Sequence, residues 1–383
     1  MGSRVCGRAV PGVSASRSVL MLASRPHISG PIPKIVPLQI AMLEAYGYSV
    51  DVAYWGSRFD KESMLRKFFA GPADLASAMR ALSAGSHCIL FVNTAHDVKT
   101  LLRDIPLLWF TRRRGIRRIL LLHGSQADRL VQSGIRPFKL ASRFMARGAD
   151  ALLVLSTSEL AMWSTFESQG RYFNVCNPFV PGQELIEAAA EHEGLAGTKR
   201  EQREIIFVGR LIPEKGVVDL LEATRLVNDK LPCRLLLAGK GPLENQLMSL
   251  ARDYGLADKV DLRGYLNAAD LAKAYASADL LALPTYWDEG FPTVIAEAMS
   301  VGLPVITTRI RGAADLLVEG ENCLFVPPRN AAGLAARILT LLDDDGLARR
   351  MSAANRALVG TLRPAVVGSA YAQAFASAVK NRE

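Results

Sequence analysis

The sequence predicts an α/β protein built as two doubly wound domains, and three observations carry that prediction. Short apolar runs rich in Val, Ile and Leu alternate with helix-like segments along the chain, the pattern of a parallel sheet covered on both faces. The 383 residues suffice for two such domains, each with its own core. Near the middle the turn-rich stretch N-P-F-V-P-G, residues 177–182, follows directly on a strand-like run and marks the switch between domains.

Residues 1–17 are basic, small and polar, and are expected to form a flexible tail. The opening Met-Gly resembles a myristoylation signal, but Cys6 stands where Ser or Thr is required. The run V-L-M-L-A is too short for the core of a signal peptide, and no apolar run approaches a membrane span. In the first domain, 18–180, the expected strands are S-V-L-M-L-A, Y-S-V-D-V-A-Y, H-C-I-L-F-V, R-I-L-L-L-H and D-A-L-L-V-L-S. Helical patterns such as I-V-P-L-Q-I-A-M-L-E-A-Y and F-K-L-A-S-R-F-M-A-R lie between them. In the second domain, 181–358, the strands are E-I-I-F-V-G-R, C-R-L-L-L-A-G, K-V-D-L-R-G, D-L-L-A-L-P-T and L-P-V-I-T-T. Residues 359–383 are expected to form a last helix packing back on the first domain.

Apolar residues make up 50% of the chain and charged residues 22%, an ordinary soluble composition. The net charge of +9 is unevenly spread: 23 Lys and Arg against 11 Asp and Glu give +12 for residues 1–180, and 23 against 26 give −3 for the rest. The first half therefore carries a positive field suited to an anionic partner. Five scattered cysteines without a C-x-x-C spacing argue against a disulfide framework or a zinc site, and fit reduced thiols in the cytoplasm.

In doubly wound domains ligands bind beyond the carboxyl ends of the strands, and with two domains the natural site is the cleft between facing strand ends. After E-I-I-F-V comes G-R-L-I-P-E-K-G, where Gly209 permits a tight turn and Arg210 and Lys215 precede a helix. Two cations beside a helix N-terminus suit a diphosphate, although a loop with two solvated basic residues is the alternative. Gly239 follows the next strand, and Gly264 with Tyr265 the one after, as close-approach points for a ligand or as plain turns.

The stretch D-E-G-F-P-T-V-I-A-E-A-M-S, from Asp288, follows the strand D-L-L-A-L-P-T. Pro292 suits the first turn of a helix that Gly302 ends, so the positive end of that helix faces the ligand site. Glu289 lies just before the helix, within reach of a group carried by the diphosphate. Glu297 lies over a turn inside it, where it could accept two hydrogen bonds from a vicinal diol. A sugar and a ribose at opposite ends of a diphosphate satisfy both carboxylates. A dipole-favouring Glu beside a second, exposed Glu is the plainer explanation.

These motifs, with L-A-G-K-G-P and G-L-P-V-I-T-T, resemble the family-4 retaining glycosyltransferases, most strongly from about 204 to 345. The resemblance implies the GT-B fold, two Rossmann-like domains facing across a deep cleft, the first on the acceptor side. L-L-L-H-G-S and A-D-A-L-L-V-L-S resemble the strand ends of the family's acceptor domain. By resemblance Arg210 and Lys215 hold the donor diphosphate, Glu297 the ribose, and Glu289 with Gly290, Phe291, Pro292 and Thr293 the transferred sugar. His123 matches the histidine that faces the donor sugar. The loop R-P-H-I-S-G-P-I-P-K departs from the family's two adjacent glycines: it has only Gly30, near His27 and Ser29 on the acceptor side.

The implied activity is a metal-independent, retaining transfer from a UDP- or GDP-linked sugar to a hydroxyl of a glycan or lipid-linked acceptor, with no cofactor. No D-x-D loop stands ready to hold a metal, and D-D-D at 343–345 ends a late helix. A nucleotide-sugar epimerase of the same fold is the second reading, lacking a first-half carboxylate partner. A non-catalytic protein binding anionic ligands is the third. The run T-R-R-R-G-I-R-R, residues 111–118, lacks the aromatic interleaving of a nucleic-acid surface. Following I-P-L-L-W-F, it suits the anionic inner face of a membrane, with a solvated helix end as the alternative.

Overall fold

The computed structural model describes residues 17–28, 30–56, 64–85, 87–112, 114–132, 136–195, 202–287 and 290–380. The chain divides into two compact units, Met1–Pro178 with Leu362–Glu383, and Phe179–Thr361. The division falls two residues before the position expected from the turn signals, and the chain returns to the first unit after Thr361.

The first unit runs β1 (Ser18–Ala23), α1 (Pro31–Ala45), β2 (Ser49–Tyr54), α2 (Met64–Ala84), β3 (Ile89–His96) and α3 (Val98–Arg112). It continues with β4 (Arg117–Ser125), α4 (Asp128–Val131), α5 (Arg136–Gly148), β5 (Ala151–Val154), α6 (Thr157–Phe166) and β6 (Tyr172–Asn174). All six strands are parallel, in the order β2-β1-β3-β4-β5-β6. Each central strand is buried on both faces, so its sequence is a continuous apolar run rather than an alternation. Leu90, Leu120 and Leu152 pack with Phe138, Met145 and Trp163 on one face. Phe91, Leu121 and Leu153 face the other way. There they meet Tyr371 and Phe375 from the final helix of the chain, Pro364–Lys380.

The second unit runs α7 (Gln183–Leu195), β7 (Arg203–Val208), α8 (Val217–Asn228), β8 (Cys233–Ala238), α9 (Glu244–Asp253), β9 (Val260–Gly264) and α10 (Ala268–Ser277). Then follow β10 (Leu280–Leu283), α11 (Thr293–Val301), β11 (Val305–Thr307), α12 (Arg311–Leu316), β12 (Cys323–Phe325), α13 (Ala331–Asp343) and α14 (Asp345–Gly360). The final helix is α15. The parallel sheet has the order β12-β11-β10-β7-β8-β9. Counted from β7 this is the doubly wound order 3-2-1-4-5-6, with its switch point between β7 and β10. In the first unit the chain reverses between β1 and β3.

Ten strands coincide with the runs expected from the sequence. The edge strands β6 and β12 do not, since three residues of pairing leave no periodic signal to read. The D-D-D stretch is a helix junction: Asp343 ends α13, and Asp344 caps α14 by accepting the Leu347 N–H at 2.8 Å. Cys233 and Cys323 are free thiols, and burial pushes that of Cys233 up to about 11 and that of Cys323 up to about 12.

In α15, Phe375 is fully buried and meets Phe91 and Tyr48 edge-on, each at 5.2 Å between ring centroids. Phe375→Ala should destabilise the first unit by about 3–5 kcal/mol, the usual cost of emptying a buried aromatic site. Denaturant unfolding followed by hydrogen exchange should show earlier opening of β1, β3 and β4, with β7 and β8 unchanged.

Candidate functional site

The switch point of the second unit is where the sequence-predicted donor residues gather. Gly209, directly after β7, donates its N–H to the Ala238 carbonyl at 3.0 Å, and Leu211 donates to the Lys240 carbonyl at 3.0 Å. The loops beyond β7 and β8 are thereby joined backbone to backbone. A methyl group at Gly239 would collide with the Gly209 carbonyl, and one at Gly241 with that of Leu211. Gly239 thus admits a neighbouring loop of the protein, a role its sequence position alone did not reveal.

Beyond Leu211 the chain makes a 3-10 turn at Pro213–Lys215, and Gly216 at φ 69° passes into α8. A methyl at Gly216 would meet the Pro284 carbonyl at the end of β10. The Glu214 carbonyl accepts the Tyr286 N–H at 2.8 Å and the Thr285 hydroxyl at 3.2 Å. The Arg210 guanidinium lies 5.1 Å from the centre of the Trp287 ring, a cation–π contact. Arg210 itself is exposed, whereas Lys215 is buried. The loop carrying both cations is therefore held against the loop that leads from β10 to α11.

Glu289 lies outside the described residues. Gly290 and Pro292 are buried, with Pro292 one position before α11, and Gly302 closes the helix at φ 98°. Phe291 and Thr293 are half-buried, and Gly312 packs without a side chain against the backbone of Gly290 and Phe291. Glu297 is buried, so the alternative of an exposed helix face does not hold. The Tyr275 hydroxyl donates to its Oε2 at 3.2 Å. Burial, and then the Glu297 charge, raise the Tyr275 pKa well above its ordinary value, so the hydroxyl keeps its proton. Sequence reading missed Tyr275, which stands on α10 in an alternation of small residues that signals only packing. At the far edge, Gly264 closes β9 at φ 64° and Tyr265 is exposed, two strands away from Arg210 in the sheet.

In the first unit His123 lies near the end of β4, where its Nε2 is 2.6 Å from Asn93 Oδ1 on β3. Burial lowers its pKa to about 4, so the imidazole is neutral at pH 7. Gly30 precedes α1 at φ 132°, exposed, and His27 is exposed beside it. Ser29 lies outside the described residues. The basic run divides: Arg117 and Arg118 both pair with Asp150, at 3.5 and 3.1 Å, while Arg112 and Arg114 are exposed. Arg113 lies outside the described residues.

Two all-parallel doubly wound units in one chain, the second with cations fixed at its switch point, define a protein of the two-domain Rossmann-like class. Residues 191–358 match the family described as glycosyl transferases group 1. Glycogen synthase of Mycobacterium tuberculosis is 33% identical over 177 residues, 46% of this chain and 42% of that protein. Alpha-D-kanosaminyltransferase of Streptomyces kanamyceticus is 30% identical over 149 residues, 39% of this chain and 38% of that one. The matches thus span about two fifths of the length of these relatives. Sucrose-phosphate synthase of Thermosynechococcus elongatus has a similar structure, with a TM-score of 0.75 at 19% identity, over 93% of this chain and 98% of that one. Anabaena Alr3699/HepE in complex with UDP-glucose gives 0.67 at 19% identity, over 94% and 99%. The shared fold is GT-B.

Tyr275→Phe removes a hydrogen bond to a buried carboxylate without changing packing volume. It should cost about 1.5–3 kcal/mol of stability in the second unit, measured by denaturant unfolding, because a charge-assisted bond is lost. A loss below a few tenths of a kcal/mol would show that Tyr275 does not support Glu297.

Proposed function

We propose that the chain is a retaining glycosyltransferase moving a sugar from a UDP- or GDP-linked donor to a hydroxyl of a glycan or lipid-linked acceptor. The observation that carries this reading is the joining of the Arg210–Lys215 loop to the loop entering α11, within the stretch that matches the family. Arg210, Lys215 and the N-terminus of α11 offset the charge of the departing diphosphate without needing a metal ion. Glu297 takes the ribose diol, and Glu289 orients the sugar. His123 acts on the donor sugar, and Gly30 belongs to the acceptor side. The bond between the anomeric carbon and the diphosphate oxygen breaks as the acceptor oxygen bonds the same face of that carbon. The acceptor proton passes to a phosphate oxygen of the departing diphosphate, so no protein nucleophile takes part. The UDP-glucose carried by the structurally similar Anabaena protein, and the glycogen made by a relative, support a nucleotide-sugar donor and a polysaccharide product.

The donor assignment is tested with free UDP and GDP. Arg210→Ala and Lys215→Ala should each weaken binding of the preferred nucleotide about tenfold or more by calorimetry, the loss of one charge-assisted contact. The melting temperature of Arg210→Ala should stay near that of the parent, since its side chain is exposed. Unchanged affinity in both variants would overturn the diphosphate site. Sugar transfer should persist in excess chelator, and its complete loss, restored by magnesium or manganese, would overturn metal independence.

A second element of the reading concerns where the acceptor is met. No helix among the described residues is long and apolar enough to cross a membrane. Yet α3 exposes Val98, Leu102 (73% accessible) and Trp109 (52%), spaced by four and seven residues on one stripe, with Phe110 beside them. Arg112 and Arg114 stand exposed at the same end of the helix. An apolar stripe flanked by cations suits the anionic cytoplasmic face of a membrane carrying a lipid-linked acceptor. The double change Arg112→Glu and Arg114→Glu should strongly reduce sedimentation with phosphatidylglycerol vesicles and leave UDP and GDP affinity unchanged. Salt-insensitive binding by the parent protein, or none, would remove the membrane from the proposal.

A further inference from the structure

Asn93 and His123 meet because parallel pairing brings their strands into register. Asn93 lies opposite Leu121, so His123, two residues on, points to the same face of the sheet. That face holds Phe91, Leu121 and Tyr371. Asn93 is 4% exposed, and its Oδ1 lies 2.6 Å from Nε2 of the imidazole. An amide oxygen only accepts, so a contact of this length requires Nε2 to carry the proton. Neutral imidazole has one N–H, and Nδ1 is then a bare lone pair. His123 Nδ1 and Asn93 Nδ2 are both buried and find no hydrogen-bond partner among the described residues.

We propose that Asn93 is a positioning residue that fixes His123 as the Nε2–H tautomer, leaving Nδ1 as a hydrogen-bond acceptor for a hydroxyl. Asn93 Nδ2 is a donor that also finds no partner among the described residues, so each side chain offers one polar atom to a ligand. A buried acceptor and a buried donor left unmatched are costly, and hydroxyls of a bound ligand would satisfy them. Burial alone keeps the imidazole neutral near pH 7, and no charged side chain among the described residues contributes to that shift. In sugar transfer, the reading on which the catalytic part of this assignment rests, His123 orients a hydroxyl and delivers no proton.

Nitrogen NMR of protein carrying labelled histidine tests the assignment without activity. The signal of His123, identified by its absence in His123→Gln, should show a protonated Nε2 and a bare Nδ1 from pH 8 down towards about 4. Asn93→Leu should convert this state to a mixture of tautomers. Asn93→Asp, a near-isosteric second variant, should raise the imidazole pKa by at least one pH unit through the adjacent carboxylate. A protonated Nδ1 in the parent protein, or an unaltered Nε2–H tautomer in Asn93→Leu, would overturn the proposal. In transfer assays Asn93→Leu should lower kcat on the order of tenfold with donor KM within about twofold, as expected for a group acting on the reacting geometry rather than on donor binding. An Nε2–H tautomer in a protein that transfers no sugar would sink the glycosyltransferase reading and leave this one standing.

Discussion

Backbone meets backbone where the loops beyond β7, β8 and β10 come together, and the positions of the cations depend on that contact. Gly239 lies against the Gly209 carbonyl, Gly241 against that of Leu211, and Gly216 against that of Pro284. A backbone carbonyl cannot swing aside as a flexible side chain can, so even one methyl group here would force the strand ends apart. With the glycines in place, Glu214 offers its carbonyl to both Tyr286 and Thr285, and Trp287 lies beneath Arg210. The loop is thus ordered by contacts within the chain. Charge fixed before a ligand arrives stabilises an anion without a further reorganisation cost.

Glu297 poses the opposite problem, a carboxylate taken out of water. Burying such a group is unfavourable unless hydrogen bonds replace its hydration. Tyr275 supplies one, and its own burial keeps the hydroxyl protonated and therefore able to donate. The helix adds a favourable field, because Glu297 lies only a little over a turn from the N-terminus of α11. A carboxylate supported in this way is suited to recognising a diol, whose two hydroxyls donate towards it.

Most of the fold was legible because doubly wound units write themselves into the sequence locally. Ten strands fall on the runs expected from the sequence, most of them continuous apolar stretches, and the loops after β7 and β10 carry recognisable glycines, prolines and charges. What stayed hidden depends on distance along the chain. Tyr275 reaches Glu297 across 22 residues and Asn93 reaches His123 across 30, and neither partner bears a mark of the contact. Gly239 was legible as a point of close approach, but not what approaches it. The edge strands β6 and β12 were lost for another reason: three residues cannot establish a period.

Charge shows the same limit in a form that matters for partners. The first half of the chain sums to +12, and the run 111–118 reads as one basic cluster. In the folded unit that run belongs to two different surroundings. Arg117 and Arg118 open β4 and share Asp150, which directly precedes β5, so half of their charge is cancelled where it stands. Arg143 and Arg147 on α5 likewise converge on Glu167, at 3.1 and 2.9 Å. Opposite charges within a few ångströms cancel at longer range, and solvent ions screen what remains beyond about 8 Å at physiological ionic strength. A partner approaching the first unit therefore meets local charge, not the total. At the end of α3 that local charge is Arg112 and Arg114, next to an exposed Trp109 and Phe110 packed edge to face at 4.8 Å. Nucleic acid would be met by cations along a phosphate track, whereas here cations border an apolar stripe. What a partner meets there is thus set by place along the helix and not by net charge.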